Sequence, residues 1–271
     1  MNISDNEFKR IVEFVRYNYG INLSTKKILV TGRLENYLIK NGYDSYDEFI
    51  KKAEMCPSGN EARDLVNYLT TNHTYFLREP IHFNFMKDEV LPQLIKKEQA
   101  AKDIRIWSGA SSTGEEPYTI AMVLRDFFSL VPGVWDTRLL ATDISTRALE
   151  KAIAGVYLSE QLNPLPTHWK TGCFDKINNE QFVVKKEIKE QVIFRSFNLM
   201  NPFPFKRKFH IIFLRNVMIY FEEDTKRRII DKISSSLEPG GYLFIGTTEN
   251  IDRESTDLEY IRPSIYRKPL K

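Results

Sequence analysis

Residues 104–122, IRIWSGASSTGEEPYTIAM, run from a strand through a turn of small residues straight into a helix, and that junction commits the chain to an α/β ligand cradle. Ile104 and Ile106 alternate with Arg105 as in a strand. Gly109-Ala-Ser-Ser-Thr-Gly114 carries no bulky side chain, so backbone N–H groups can approach a ligand closely. Pro117 fits a first helical turn, and Ile120, Val123, Leu124, Phe127 and Phe128 form the stripe of a helix laid on a sheet. Gly109-x4-Gly114 has the glycine spacing of a triphosphate-binding loop, but Glu115 and Glu116 stand where that loop needs Lys and Ser or Thr. Carboxylates repel phosphates and accept hydrogen bonds from hydroxyls, so the ligand should meet this turn through hydroxyl groups.

The 271 residues suit one large or two modest domains with a proper core. Net charge is +3, with 39 basic and 36 acidic residues well mixed, which disfavours a nucleic-acid-coating protein. MNISDNEFKR has no apolar signal core, and runs such as Ile211–Leu214 are far too short to span a bilayer, so a soluble protein is expected. Cys56 and Cys173 lie far apart without a CxxC, and the four histidines lack ligand spacing. They read as the reduced thiols of a cytoplasmic protein without a metal site.

Up to about residue 97 the pattern is helical. Ser4-x-x-Glu7, Ser45-x-x-Glu48 and Ser58-x-x-Glu61 each match a capping box ahead of an apolar stripe, and Gly20 and Asn41-Gly42 read as helix stops. After residue 102 strands alternate with helices, at 104–107, 138–142, 192–197, 209–214 and 242–246, which predicts a mostly parallel, doubly wound sheet. Glu238-Pro239-Gly240-Gly241 reads as a tight turn into the last of these strands. Residues 155–191 break the rhythm and read as a small inserted antiparallel β-subdomain. The expected division is a helical domain at 1–75, a linker and helix at 76–97, and the α/β domain at 98–271.

In an open parallel sheet the ligand lies beyond the carboxyl ends of the strands. Asp143 follows the second strand, where its carboxylate could accept from both hydroxyls of a ribose or, alternatively, cap the next helix. The glycine turn 29 residues upstream favours the ribose. Asn198 follows the third strand, and Arg215 and Asn216 follow the fourth. Thr71–Glu79, between the two regions, concentrates hydroxyls, an amide, an aromatic ring and a cation. Arg78 could grip a ligand carboxylate bidentately or sit solvated beside Glu79, and His73 reads as a packing residue.

These residues resemble the chemoreceptor glutamate methyltransferases, the CheR family. The resemblance rests on TTNHTYFLRE at 70–79, WSGASSTGEEPYTIAM at 107–122, LLATDIS at 139–145, FNLMNPF at 197–203, IIFLRNVMIYF at 211–221, LEPGGYLFIG at 237–246 and IRPSIYRK at 261–268. It implies a Rossmann-like methyltransferase sheet preceded by an all-α domain, with S-adenosylmethionine as cofactor and glutamates of methyl-accepting chemotaxis receptors as substrate. Carried over residue by residue, Asn72, Thr74 and Arg78 would hold the methionine side of the cofactor. Gly109 with Glu115 or Glu116 would line its pocket, Asp143 would hold the ribose, and Asn198, Leu199, Arg215 and Asn216 would complete the site. Tyr220 is a candidate substrate contact, with plain packing beside Phe221 as the alternative.

Lys26, Arg33 and Lys40 recur every seven residues and could meet the receptor's acidic helical bundle, although residues 1–70 hold ten basic and ten acidic residues. Where relatives carry Gly-His-Ser-Glu, this chain has Gly246-Thr247-Thr248-Glu249. The inserted segment also lacks the glycine-containing loop with which some relatives dock a receptor tether, so the chain looks like the tether-independent kind, working as a monomer. Two other readings compete. A nucleobase methyltransferase would need Asp/Asn-Pro-Pro-aromatic where Arg215-Asn-Val-Met stands. A non-catalytic S-adenosylmethionine sensor or scaffold of a receptor array is the other.

Overall fold

The computed structural model describes all 271 residues. Four helices come first: α1 (Asp5–Tyr19), α2 (Lys27–Lys40), α3 (Tyr46–Met55) and α4 (Asn60–Leu69). The Ser4–Glu7 capping box forms in full, with each side chain satisfying the other residue's amide. At α3 only half of it forms, because Glu48 turns to the Asp44 amide while Ser45 caps the Glu48 amide. The third box fails: α4 begins after Gly59 with no side-chain cap. Gly20 closes α1 in the left-handed region (φ 74°), as its place after the stripe predicts. Phe14, Val15, Leu34, Leu38, Phe49, Ile50 and Leu65 pack this bundle's own core.

A linker leads into α5 (Pro80–Phe85), a π-helical turn at Met86–Val90 and α6 (Leu91–Lys97). The sheet then builds from β1 (Ile106–Gly109), α7 (Glu115–Phe128), β2 (Leu139–Asp143) and α8 (Thr146–Ala154). The insertion follows, with β3 (Val156–Leu158), α9 (Thr167–Cys173), β4 (Phe174–Lys176), β5 (Gln181–Val184) and α10 (Lys186–Lys189). Its strands make a separate antiparallel sheet in the order β3-β5-β4. The chain returns through β6 (Val192–Ser196), β7 (Phe209–Leu214), α11 (Glu223–Ser236), β8 (Leu237–Ile245), β9 (Glu259–Arg262) and β10 (Ile265–Arg267).

The main sheet has the order β6-β2-β1-β7-β8-β10-β9, parallel from β6 to β8 and antiparallel at the β10-β9 edge. The order in which strands are added reverses between the parallel neighbours β1 and β7, so the crevice opens at their carboxyl ends. All six residues of β7 are buried, because alternate side chains feed two apolar layers. Ile211 and Phe213 join α7 and the 80–97 helices on one face, and Ile212 and Leu214 join α11 and Trp107 on the other.

Two strand readings need correction. β1 starts at Ile106, two residues later than the alternation implies, since before it only Asp103 pairs, in an isolated bridge with Asp136. Glu238–Gly241 is not a turn but a bulged part of β8: Gly240 is left-handed (φ 78°), and the Gly240 and Gly241 backbones pair with Lys268 beyond β10. A Cβ on Gly241 would lie 2.9 Å from the Glu238 carbonyl oxygen, so the close approach needs glycine.

Candidate functional site

A cleft of about 1300 Å³, its open mouth included, lies where β1, β2 and β7 end, beneath the linker and the start of α2. Its lining mixes apolar and aromatic side chains with amides, hydroxyls and charged groups, as ligand sites do. Leu69–Tyr75 and Arg78 form one wall, Ala110–Ser112 with Glu116 the floor, Asp143–Ile144 and Phe197–Leu199 another wall, and Arg215–Val217 with Tyr220–Phe221 the last. Asn72, Thr74, Arg78, Glu116, Asp143, Asn198, Leu199, Arg215, Asn216 and Tyr220 therefore border one space, although 148 positions separate the first from the last.

Gly109 and Glu115 do not border it, which corrects the expectation for both. Gly109 is small for packing: a Cβ there would meet a Leu214 methyl at 3.0 Å. Glu115 turns away, accepting from the Thr113 hydroxyl at 2.7 Å, and burial pushes its carboxyl up. Of the two glutamates, Glu116 faces the cavity.

The turns around this space are strained. Leu77, Glu79, Ala110, Ser112 and Asn216 all have φ between 51° and 61°, and these five of the seven non-glycine left-handed residues sit in the three segments that frame the cleft. Such strain persists only where surrounding contacts over-determine the backbone. Ser112 is held by Asp143, whose Oδ2 accepts the Ser112 amide and whose Oδ1 accepts the Ser145 amide, both at 2.8 Å. Ser145 in turn caps α8, so Asp143 serves the helix start and the cavity at once. Burial raises the Asp143 carboxyl, against the pull of those amides. Gly114 (φ 100°) is required by Tyr157 and Ala152, which a Cβ would meet at 2.8 and 2.9 Å.

Arg215 is the hub. Its guanidinium donates to Glu116 at 2.9 Å, to Glu79 at 3.0 Å and to the Arg78 carbonyl oxygen, and it lies over the Phe83 ring. Glu79 also accepts from Asn216, from the Thr247 hydroxyl and from the Thr247 amide. Burial pushes the Glu79 carboxyl up, but the Arg215 charge and these hydrogen bonds prevail and hold it below its ordinary value. Glu116 goes the other way: its burial outweighs Arg215 and Ser108 and raises it. Behind them His82, fully buried, is depressed to about 4 by burial and by the Arg215 charge. Its Nε2 lies 2.6 Å from the Ser264 hydroxyl.

Arg78 behaves differently from Arg215. One of its nitrogens donates to the His73 carbonyl oxygen, and the guanidinium lies over Tyr75, which leaves further donors for a ligand carboxylate. Asn198 bridges domains, donating to the Asn18 carbonyl oxygen while accepting the Met200 amide. Leu199 is positioned through its carbonyl oxygen, which accepts from the Lys232 ammonium.

The three expected docking cations do not act alike. Lys40 is exposed at the end of α2, and Lys26 borders the cleft. Arg33 is engaged within the protein, donating to the carbonyl oxygens of Leu69 and Thr70 at 2.9 Å and to the Thr71 hydroxyl at 3.0 Å. It ties α2 to the linker.

Several contributors escape sequence reasoning. Glu79 reads there only as a neighbour of Arg78, and Tyr19, Ile21, Asn22, Leu23 and Leu29 lie in a stretch whose pattern says no more than helical, yet these five border the cleft. The fit of a nucleoside bearing a sulfonium and an amino acid can be judged on the residues present. Asp143 keeps acceptor capacity beyond its two amides, Arg78 keeps donors, and the Arg215 charge is matched by Glu79, so the Glu116 and Asp143 carboxylates favour a cation. Among buried side-chain polar atoms only Thr70 Oγ1, Ser111 Oγ and His82 Nδ1 lack hydrogen-bond partners, and the first two belong to cleft residues. The residues fit.

Comparison with known proteins accords with this geometry. Residues 72–266 match the family model described as CheR methyltransferase, SAM binding domain, and residues 6–70 match CheR methyltransferase, all-alpha domain. A chemotaxis protein methyltransferase of Borreliella burgdorferi is 40% identical over 272 residues, covering 99% of this chain and 96% of its own. A probable chemotaxis protein methyltransferase of Rhizobium etli is 36% identical over 85% of this chain and 87% of its own. The chemotaxis protein methyltransferase of Escherichia coli is 35% identical over 92% of this chain and 85% of its own. The cleft at the β1/β7 reversal, its S-adenosylmethionine-compatible donors and acceptors, and both matched domains place this chain in the CheR methyltransferase family.

Proposed function

We propose that the protein methylates glutamate side chains of chemotaxis receptors, using S-adenosylmethionine and giving glutamate methyl esters and S-adenosylhomocysteine. The supporting observation is that every block of the family resemblance from Asn72 to Asn216 meets in one cleft with a carboxylate, Asp143, at its ribose-compatible end. When bound, the cofactor supplies a methyl group on a sulfonium, ready for in-line displacement by a carboxylate oxygen.

The protein's task is then to aim. A glutamate with a reference pKa of about 4.3 is ionised at neutral pH, so no side chain has to remove a proton. Asp143 would hold the ribose, Arg78 the amino-acid carboxylate, and Glu116 would add negative charge beside the cationic sulfur. Alignment of this kind can supply up to about 7–11 kcal/mol. The linker and residues of the 19–29 segment border the cleft, and shielding a bound ligand from water there would strengthen these electrostatic contacts. Tyr220, on the turn at the cleft wall, is the proposed substrate contact, and exposed Lys40 the proposed contact with an acidic receptor helix. The reading extends to a tether-independent, monomeric enzyme of the cytoplasm; no helix is long and apolar enough to cross a membrane.

The decisive experiment is incubation with methyl-labelled S-adenosylmethionine and receptor-containing membranes. Base-labile label on receptor protein is expected. Label on nucleic acid, or tight cofactor binding without any transfer, would overturn the proposal.

A further inference from the structure

The loop after β8 does not border the cleft, yet its Glu249 carboxylate is hydrogen-bonded to the cleft wall. Glu249 Oε1 accepts the Met218 amide at 2.7 Å and the Ile219 amide at 3.3 Å, while Oε2 accepts the Asn216 amide at 2.8 Å and the Gly246 amide at 2.7 Å. One carboxylate thus gathers four backbone donors. Three of them belong to the single stretch 216–219 that starts with the left-handed Asn216 (φ 57°) and ends in the one-turn 3-10 helix Met218–Tyr220. That turn has no side-chain cap of its own. Its first free amides would otherwise face no acceptor, since a short helix leaves its initial N–H groups unpaired.

We infer that Glu249 is a positioning residue: it fixes the 216–220 turn, and through it the Asn216 and Tyr220 side chains, against the cleft. The fixation is two-sided. From the linker Glu79 accepts from the Asn216 side chain at 3.3 Å, and from the helical domain the Asn22 amide donates to the Tyr220 carbonyl oxygen at 2.9 Å. Only Glu249 reaches the middle of the turn. Charge matters here, because an ionised acceptor binds amides about twice as strongly as a neutral one and offers two oxygens to do it. Glutamine has one acceptor oxygen, and its amide group would point N–H at N–H.

The test uses the full-length protein and Glu249→Gln, with amide hydrogen exchange of residues 216–219 and 246, S-adenosylhomocysteine affinity, and receptor-methylation kinetics at saturating cofactor. Exchange at those amides should accelerate about tenfold or more while β7 stays protected. The kcat should fall about tenfold, with a smaller loss of S-adenosylhomocysteine affinity, because Asn216 is the one proposed cofactor residue on this turn while the ribose and carboxylate contacts lie elsewhere. Unchanged exchange, unchanged kcat, or a kcat loss no larger than the affinity loss would overturn the inference. If Glu249→Gln does not fold, the wild-type protein decides: protected Met218 and Ile219 amides support the assignment, and amides exchanging at unstructured rates sink it. The kinetic arm rests on the methyltransferase reading and the exchange arm does not, so a wild-type protein that methylates no receptor would discredit that reading alone.

Discussion

Glu116 and Arg215 meet at 2.9 Å although one lies in the first turn of α7 and the other follows β7, and their contact links the segments that leave the two strands between which the strand order reverses. The Arg215 side chain is 1% exposed, so its charge is compensated almost wholly by Glu79 and Glu116. Such a group is costly to remove singly, because its partners stay behind with unpaired charge.

Arg215→Ala should therefore destabilise the protein by about 3–5 kcal/mol, read as a shift in the urea unfolding midpoint. A loss below about 1 kcal/mol would mean that solvent reaches Glu79 and Glu116 more freely than their burial implies.

Asp143→Asn keeps the size of the side chain but loses the charge and one acceptor. Affinity for S-adenosylhomocysteine should fall about ten- to hundredfold by calorimetric titration, the range for a hydrogen bond to a charged group. Unaltered affinity would remove Asp143 from the ribose assignment.

Arg33→Glu and Lys40→Glu should separate. Arg33 anchors Leu69–Thr71, at the edge of the cleft, so its reversal should weaken cofactor affinity by about fivefold through loss of its hydrogen bonds to the linker. Lys40 touches nothing there, and its reversal should slow receptor methylation in a salt-dependent manner at constant cofactor affinity. Equal effects of both on cofactor affinity would refute the division.

His82 and His210 are fully buried, and both are depressed to about 4, in each case first by burial and then by an arginine, Arg215 or Arg105. The unfolded chain binds these protons at about 6.5, so their share of stability is complete above that pH and is lost as pH falls toward 4. At pH 5 each should cost on the order of 2 kcal/mol, and a double variant, His82→Gln with His210→Gln, should show a flatter melting-temperature profile between pH 7 and pH 5. A parallel profile would show that other groups control acid unfolding.

The sheet was legible because burial leaves a trace in the sequence: β7 is apolar apart from His210, and α7 carries its stripe. The bulge at Glu238–Gly241 was not, since Pro-Gly-Gly signals a turn equally well until its backbone partner, Lys268 just after β10, is known. Within the site, residues such as Asp143 declare themselves by following a strand. Glu79 and Glu249 do not, because the backbone and side-chain donors that they gather come mostly from 30 or more positions away. Glu115 and Glu116 differ by one helical step of about 100°, which decides which of them sees the cleft and which no pattern at a helix start can fix.

Ile21 pairs with Phe221 in an antiparallel bridge across 200 positions of sequence, next to the Asn22–Tyr220 hydrogen bond. The helical bundle is thus stitched to the far rim of the crevice rather than hung from its linker. Excising residues 1–70 would not free a smaller working enzyme; it would strip one side from the chamber and leave Phe221 facing water. Two folds that can be named separately thus share the walls of one chamber.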